Sequence, residues 1–102
     1  MTLGKKQELF ALCFAKLILK AYELGYTVRL GDVYAKRRDP LEHKADSQHY
    51  NKCAGDVNLF KDEVFLTHTM DHLILGTYWE TLDPLCRWGG HYNDGNHYEL
   101  IP

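Results

Sequence analysis

The 102-residue sequence lacks the features that mark membrane proteins and disulfide-rich secreted proteins. It has no run of about 18 apolar residues, so we expect no membrane span. Its three cysteines, Cys13, Cys53 and Cys86, are an odd number and include no Cys-x-x-Cys pair. That spacing fits neither a disulfide framework nor a zinc finger. We therefore expect reduced thiols in a chain made in the cytoplasm.

No excess of positive charge is present either. Twelve Lys and Arg residues oppose 14 Asp and Glu residues, which gives a formal net charge of −2. This balance argues against nucleic acid or an anionic membrane surface as the main partner. A chain of this length is sufficient for one hydrophobic core. We expect a single domain spanning residues 1–102, and a monomer.

The N-terminal segment could be mistaken for a targeting signal, but it lacks the pattern of one. Lys5 and Lys6 precede an apolar stretch, but Lys16 and Lys20 interrupt it and no small-x-small cleavage site follows. We therefore expect no signal peptide. The apolar positions recur at i, i+3, i+4 and i+7, which is typical of an amphipathic helix packed on a core. These positions are Phe10, Cys13, Phe14, Leu17, Ile18 and Ala21.

Periodicity and turn residues predict two helices and several short strands, which indicate an α+β fold with a small antiparallel sheet. Alternation places Asp56 and Asn58 on the same face of their strand. It likewise places His97 and Glu99 on the same face of theirs. Segment 87–90 is predicted to be a loop. The predicted helices span about 5–24 and 69–82, and the predicted strands span 26–30, 56–60, 64–66 and 97–101.

Two stretches of the sequence carry the residues of a metal site. His49 is followed seven residues later by Asp56, and His97 is preceded three residues earlier by Asp94. Two imidazoles and one carboxylate can hold zinc and leave a fourth position open to water, as in catalytic zinc sites. Asp94 is then a candidate general acid or base beside that water.

Other residues could provide a different metal site. His68 and His72 are spaced i, i+4, so a helix would place both on one face. The zinc-protease helix motif requires Glu directly after the first histidine, however, and Thr69 stands there. The cysteines are a further alternative, although none has zinc-finger spacing.

The same stretches resemble a known family. The pattern Ser47-x-His49-x6-Asp56 is similar to the Ser-x-His-x-x-Gly-x-Ala-x-Asp signature of D-Ala-D-Ala carboxypeptidases and phage L-alanyl-D-glutamate endopeptidases. Asp94-x-x-His97 resembles the acid-x-x-His signature that closes the same site. The resemblance implies the zinc peptidase fold of D-Ala-D-Ala carboxypeptidases and hedgehog-like proteins. Further segments similar to small phage and prophage members are 31–34, 56–60, 75–80 and 87–97.

The resemblance also implies a role for each matching residue. His49, Asp56 and His97 are expected to bind Zn²⁺, which is the implied cofactor. Asp94 is expected to be the catalytic acid and base. Ser47 is expected to contact the substrate.

The sequence departs from the family pattern at two positions. Lys52 stands where the signature has Gly, and Ala35 stands where the family usually has an arginine that stabilises the oxyanion. Arg37 or Arg38 could replace that arginine from the same loop, and we favour Arg38 as the catalytic residue. The basic segment that contains them is equally well explained as a solvated loop.

The activity that the resemblance implies is endolysin-like. A zinc-bound water would attack a peptide bond in the peptidoglycan stem peptide, between L-Ala and D-Glu. The enzyme would act at the cell wall after phage-type or prophage-type release, and we expect no separate wall-binding domain. Trp88, with Tyr50 and Tyr98, would line the substrate cleft, although core packing explains these aromatic residues as well.

Three other functions remain open from the sequence. The protein could be a D-Ala-D-Ala dipeptidase, whose usual catalytic acid is Glu rather than the aspartate found at Asp94. It could be a non-catalytic zinc-binding module of the same fold, which the departure at Ala35 favours. It could also be a structural or phage-assembly protein, which would bind no stoichiometric metal.

Overall fold

A computed structural model describes residues 1–34 and 51–102 of the chain. Within these ranges the protein has two α-helices and a five-stranded sheet in which every described pairing is antiparallel. This architecture confirms the predicted α+β class. The helices are α1 (Leu3–Glu23) and α2 (Leu73–Leu82), and the strands are β1 (Thr27–Leu30), β2 (Ala54–Lys61), β3 (Val64–Phe65), β4 (Cys86–Trp88) and β5 (His97–Leu100).

Strand β2 is central to the sheet. The strand order is β1-β2-β5-β4, and the short β3 also pairs with β2. The register places Asp56 of β2 directly opposite His97 of β5. It also places Arg87 of β4 opposite Glu99 of β5. Polar residues from three separate strands are thereby brought onto neighbouring positions of the sheet.

Helix α1 confirms the amphipathic pattern expected from the sequence. It begins after Thr2, whose side-chain oxygen accepts a hydrogen bond from the Lys5 backbone N–H at 3.2 Å. It ends just before Gly25, whose positive φ of 93° suits the residue that follows a helix. Its buried residues are Phe10, Cys13, Phe14, Leu17 and Ala21, with Ile18 partly buried.

Both helices contribute to one hydrophobic core on one face of the sheet. Trp79 of α2 is fully buried, and its Nε1 donates a hydrogen bond to the Glu99 carbonyl oxygen at 3.1 Å. Val57 and Leu59 of β2 are fully buried in the same core. No helix within the described ranges combines the length and hydropathy needed to cross a bilayer.

Two local predictions were wrong. Segment 87–90 is not simply a loop, because residues Cys86–Trp88 form β4 and pair with β5. A three-residue strand is too short for side-chain alternation to reveal it in the sequence. The predicted helix 69–82 is divided into a 3₁₀ turn, Thr69–His72, followed by α2. Met70 in that turn is 66% exposed and therefore does not pack in the core.

Trp88 explains why helix α2 contains a glycine. The indole packs directly against Gly76, where a Cβ atom would lie 2.1 Å from Cδ2 of the ring. The ring also packs against Gly90, where a Cβ atom would lie 2.2 Å from Cζ2. The indole Nε1 donates to the Gly95 carbonyl oxygen at 2.7 Å. The glycines therefore provide the space that seats this buried ring.

Replacing Gly76 with alanine should destabilise the protein, although alanine is the better helix former. The added methyl group must displace the Trp88 ring, and overpacking of this kind costs roughly 1–3 kcal/mol. Urea unfolding followed by circular dichroism would measure the change in the free energy of unfolding.

Gly4→Ala is the matched control, because Gly4 also lies in a helix but a Cβ there meets no atom within 4 Å. That variant should be stabilised by up to about 1 kcal/mol. Equal effects of the two substitutions would contradict the proposed packing of Trp88.

Candidate functional site

The polar residues of the site lie on the sheet face opposite the core. Side chains alternate along a strand, so Val57 and Leu59 point into the core while Asp56 points to the other face. On β5 the same alternation places Tyr98 in the hydrophobic core and His97 on the other face, in contact with Asp56. The result is a row of ionisable side chains that runs from β2 across β5 to β4.

Asp56 and His97 meet at the β2 end of this row. Their side chains are 19% and 8% exposed, and His97 Nδ1 lies 3.3 Å from Asp56 Oδ1. The two residues are 41 positions apart in the chain and become neighbours through the β2–β5 register. This contact brings together two of the three predicted metal ligands.

The other nitrogen of the His97 ring is held by a second acid. His97 Nε2 lies 2.6 Å from Glu99 Oε1, a short hydrogen bond between two buried side chains. Arg87 donates to Glu99 Oε2 from Nε at 2.7 Å and also from Nη2. The Tyr92 hydroxyl donates to Glu99 Oε1 at 3.3 Å. Both carboxylate oxygens of Glu99 are therefore engaged.

These contacts change the ionisation of the buried groups. Burial disfavours the charged imidazole, but the hydrogen bonds to Asp56 and Glu99 outweigh it and raise the pKa of His97 to about 9. Burial likewise favours the neutral acid at Glu99, yet hydrogen bonds from His97 and Arg87 lower the pKa of that carboxyl group. Opposite charges therefore pair along this row, which offsets the cost of burying them.

An open cleft of about 270 Å³ is lined by residues that neighbour Asp56 and His97 in the chain, although neither of these two side chains lines it. Asn58 and Asn96 line it, and the Asn96 side-chain amide donates to Asn58 Oδ1 at 3.1 Å. Asn58 is two residues beyond Asp56 on the same strand face, and Asn96 directly precedes His97. The wall of the cleft therefore contains chain neighbours of both candidate ligands.

Asp94 lies in the wall of this cleft and is exposed to solvent. Its backbone N–H donates to the Gly89 carbonyl oxygen at 2.9 Å, and its carbonyl oxygen accepts from the His97 N–H at 3.1 Å. The preceding Asn93 has a φ of 62°, a left-handed conformation that turns the chain here. The turn holds the backbone of Asp94 close to the start of β5.

Four predicted site residues require separate comment. His49, Ser47 and Arg38 lie outside the described residues, so their predicted roles stay predictions. Trp88 is only 5% exposed and packs in the core, which leaves its ring little surface for a substrate. Among residues 1–34 and 51–102, no group of three His, Cys, Asp or Glu side chains is placed to hold a metal ion.

The alternative metal sites do not gain support from the geometry. His68 is exposed, whereas His72 is buried and its Nδ1 lies 2.7 Å from the Tyr98 hydroxyl. The segment between them is a 3₁₀ turn rather than the α-helix that would align the two rings. The three cysteines are buried and free.

Sequence reasoning missed the partners of Glu99. The alternation rule correctly placed Glu99 on the same strand face as His97, which the 2.6 Å contact confirms. Arg87 was assigned to a loop, so its position opposite Glu99 was not foreseen. A strand prediction that included Arg87 and Trp88 would have made the pairing of Arg87 with Glu99 foreseeable.

A scan against models of known protein families finds no match for this chain. A search of the curated proteins finds no significant match either.

The acid sensitivity of the protein should depend on His72. Burial lowers the pKa of His72 to about 4, against 6.5 for the free side chain. Because the native state resists protonation, its stability falls as the pH drops from 6.5 towards 4. Protonation of this residue should make the free energy of unfolding roughly 3 kcal/mol lower at pH 4 than at pH 7.

Urea unfolding at pH 7 and pH 4 would test this expectation in the wild type and in His72→Gln. The pH-dependent loss of stability should be smaller in the variant by roughly 3 kcal/mol. His91→Gln, which alters an exposed histidine, should behave as the wild type does. An unchanged loss in His72→Gln would contradict the assignment.

Proposed function

We propose that this protein is a zinc-dependent peptidase that hydrolyses the peptidoglycan stem peptide at the bond between L-Ala and D-Glu. The observation that carries the proposal is the contact between Asp56 and His97, which brings two predicted zinc ligands together from distant parts of the chain. Asp94, the predicted acid and base, lines a cleft whose wall also contains Asn96, the residue before His97.

The spacing of the two candidate ligand atoms fits a shared zinc ion. Zinc in proteins is bound by imidazole nitrogen at about 2.0–2.1 Å and by carboxylate oxygen at about 2.0–2.2 Å, in tetrahedral geometry. Two such atoms lie about 3.3–3.4 Å apart along the edge of the tetrahedron. The observed separation between His97 Nδ1 and Asp56 Oδ1 is 3.3 Å.

The proposed ligand set is Asp56, His97 and the sequence-predicted His49. When bound, zinc supplies Lewis acidity, which polarises the scissile carbonyl group and makes a water molecule acidic near neutral pH. The ligands would be one carboxylate and two neutral imidazoles, so zinc binding would release the proton that the raised pKa of His97 keeps on its ring at neutral pH. This set leaves a coordination position open, as catalytic sites require.

In this proposal Asp94 moves the proton. Its carboxylate accepts a proton from the attacking water and then donates it to the amine that leaves when the peptide bond breaks. The exposure of Asp94 to the cleft supports this role, because the substrate must approach it from solvent. The polar lining next to it, Asn58 and Asn96, would bind backbone groups of the stem peptide.

The backbone at Lys52 supports the family resemblance. Lys52 has a φ of 58°, in the left-handed region that glycine adopts most readily. The family signature has Gly at this position. The chain therefore keeps the local conformation that a glycine favours, although the residue type differs.

The rest of the proposal depends on residues outside the described ranges. Arg38 would stabilise the oxyanion, and Ser47 would contact the substrate. The fold would be that of the D-Ala-D-Ala carboxypeptidases and hedgehog-like zinc proteins. The enzyme would act at the cell wall, with the stem peptide as its partner.

Purified protein should bind about one equivalent of zinc, and His97→Ala should bind at least 100-fold more weakly. Removing an imidazole leaves too few ligands for a stable catalytic site. Isothermal titration calorimetry on metal-free protein would measure both affinities.

His91→Ala is the control for this experiment, because His91 is an exposed histidine bonded to Glu80 and not part of the proposed site. It should bind zinc as the wild type does. Stoichiometric binding that survives His97→Ala would place the metal elsewhere and contradict the proposed ligand set.

Asp94→Asn should keep its zinc but lose hydrolysis of defined muropeptides by about 10²–10⁴-fold, since asparagine cannot exchange the proton. Mass spectrometry of the products would measure the rate and identify the bond that is cut. Asp62→Asn, in the exposed β2–β3 turn, is the control and should retain activity.

An Asp94→Asn protein that digests muropeptides at the wild-type rate would refute the assigned role. Release of D-Ala by the wild type would favour the D-Ala-D-Ala dipeptidase over the endopeptidase. A wild-type protein that binds zinc and cuts neither bond would favour the non-catalytic module.

A further inference from the structure

The two nitrogens of the His97 ring have different surroundings. Nε2 makes a short contact of 2.6 Å with Glu99 Oε1, whereas Nδ1 lies 3.3 Å from Asp56 Oδ1. The first distance is slightly shorter than the roughly 2.7–2.9 Å of hydrogen bonds between a charged N–H group and a carboxylate. The second is the separation expected of two ligands on one zinc ion. The ring therefore has one anchored nitrogen and one nitrogen at ligand distance.

Glu99 is itself held in place from the other side. Arg87 donates two hydrogen bonds, from Nε and Nη2, to the same carboxylate oxygen, Oε2. The Tyr92 hydroxyl donates to Oε1, the oxygen that contacts His97. The Glu99 side chain is 7% exposed, so water does not replace these partners readily. The orientation of the carboxylate is thus set before any metal binds.

We propose that Glu99 is a positioning residue for the metal centre, which fixes the His97 ring so that Nδ1 binds the metal ion and Nε2 keeps its proton. The inference rests on the proposed function. It adds a residue outside the predicted site and names the ligand atom. Arg87 acts one step further away, because it holds the carboxylate of Glu99.

The reason is geometric. Turning the His97 ring over would place carbon atoms where Nδ1 and Nε2 now lie, and the ring would lose its contacts with both Asp56 and Glu99. A carboxylate beside Nε2 also favours a proton on that nitrogen when zinc is bound, so that the lone pair of Nδ1 would be the one that binds the metal ion. Glu99 therefore selects both the ring orientation and the tautomer that the metal site needs.

Glu99→Gln tests this role with the least change in shape. A carboxylate accepts hydrogen bonds on both oxygens, but the amide accepts on only one, so either His97 or Arg87 loses its acceptor. Zinc affinity, measured by competition with a chelator of known affinity, should fall about 10-fold. Zinc binding is the readout, so the result does not depend on catalytic activity.

The matched control is Glu80→Gln. Glu80 also contacts a histidine, since His91 Nε2 lies 2.8 Å from Glu80 Oε2, but this pair is more exposed and lies outside the proposed metal centre. Its zinc affinity should stay within about twofold of the wild type. Equal zinc affinity in folded Glu99→Gln and in the wild type would overturn the positioning role, even if the protein is a zinc peptidase.

A second measurement uses the wild type and does not require a folded variant. Two-bond ¹H–¹⁵N correlation spectra of zinc-loaded protein with ¹⁵N-labelled histidine identify which ring nitrogen carries the proton. We expect the His97 proton on Nε2 and the metal on Nδ1. The reverse arrangement would overturn the inference alone, whereas a wild type that binds no zinc would overturn the proposed function together with it.

Discussion

The antiparallel register between β2 and β5 is the constraint on which the candidate site depends. It places Asp56 directly opposite His97, so that two side chains 41 positions apart in the chain lie 3.3 Å from each other. A shift of one residue would turn either side chain to the opposite face of the sheet. The core enforces this register, because the same shift would expose fully buried residues such as Val57 and Tyr98.

The two faces of the sheet therefore differ in chemistry and in their contribution to stability. One face buries the aromatic and aliphatic residues of both helices, and this burial provides most of the stability. The other face carries charges that are partly or fully buried, which is costly unless they are paired. His97, Glu99 and Arg87 meet that requirement as a chain of hydrogen bonds. A metal centre on this face would have its ligands held in place by paired charges and hydrogen bonds.

Periodicity predicted the parts of the fold in which one pattern persists over many residues. The core face of α1 and the shared face of His97 and Glu99 are confirmed for this reason. Strand β4 was missed because three residues carry too little pattern, and the partnership of Arg87 with Glu99 was missed with it. The pairing of Asp56 with His97 depends on register, which is a property of the whole sheet. His49, Ser47 and Arg38 remain predictions from the sequence.

The central claim is that Asp56 and His97 bind the same zinc ion. Crystals grown with one equivalent of zinc, with data collected on both sides of the zinc absorption edge, would test it most directly. We expect a single anomalous peak about 2.0–2.2 Å from both Asp56 Oδ1 and His97 Nδ1. A zinc peak at the cysteines, at His68 or at any other place away from this pair would contradict it.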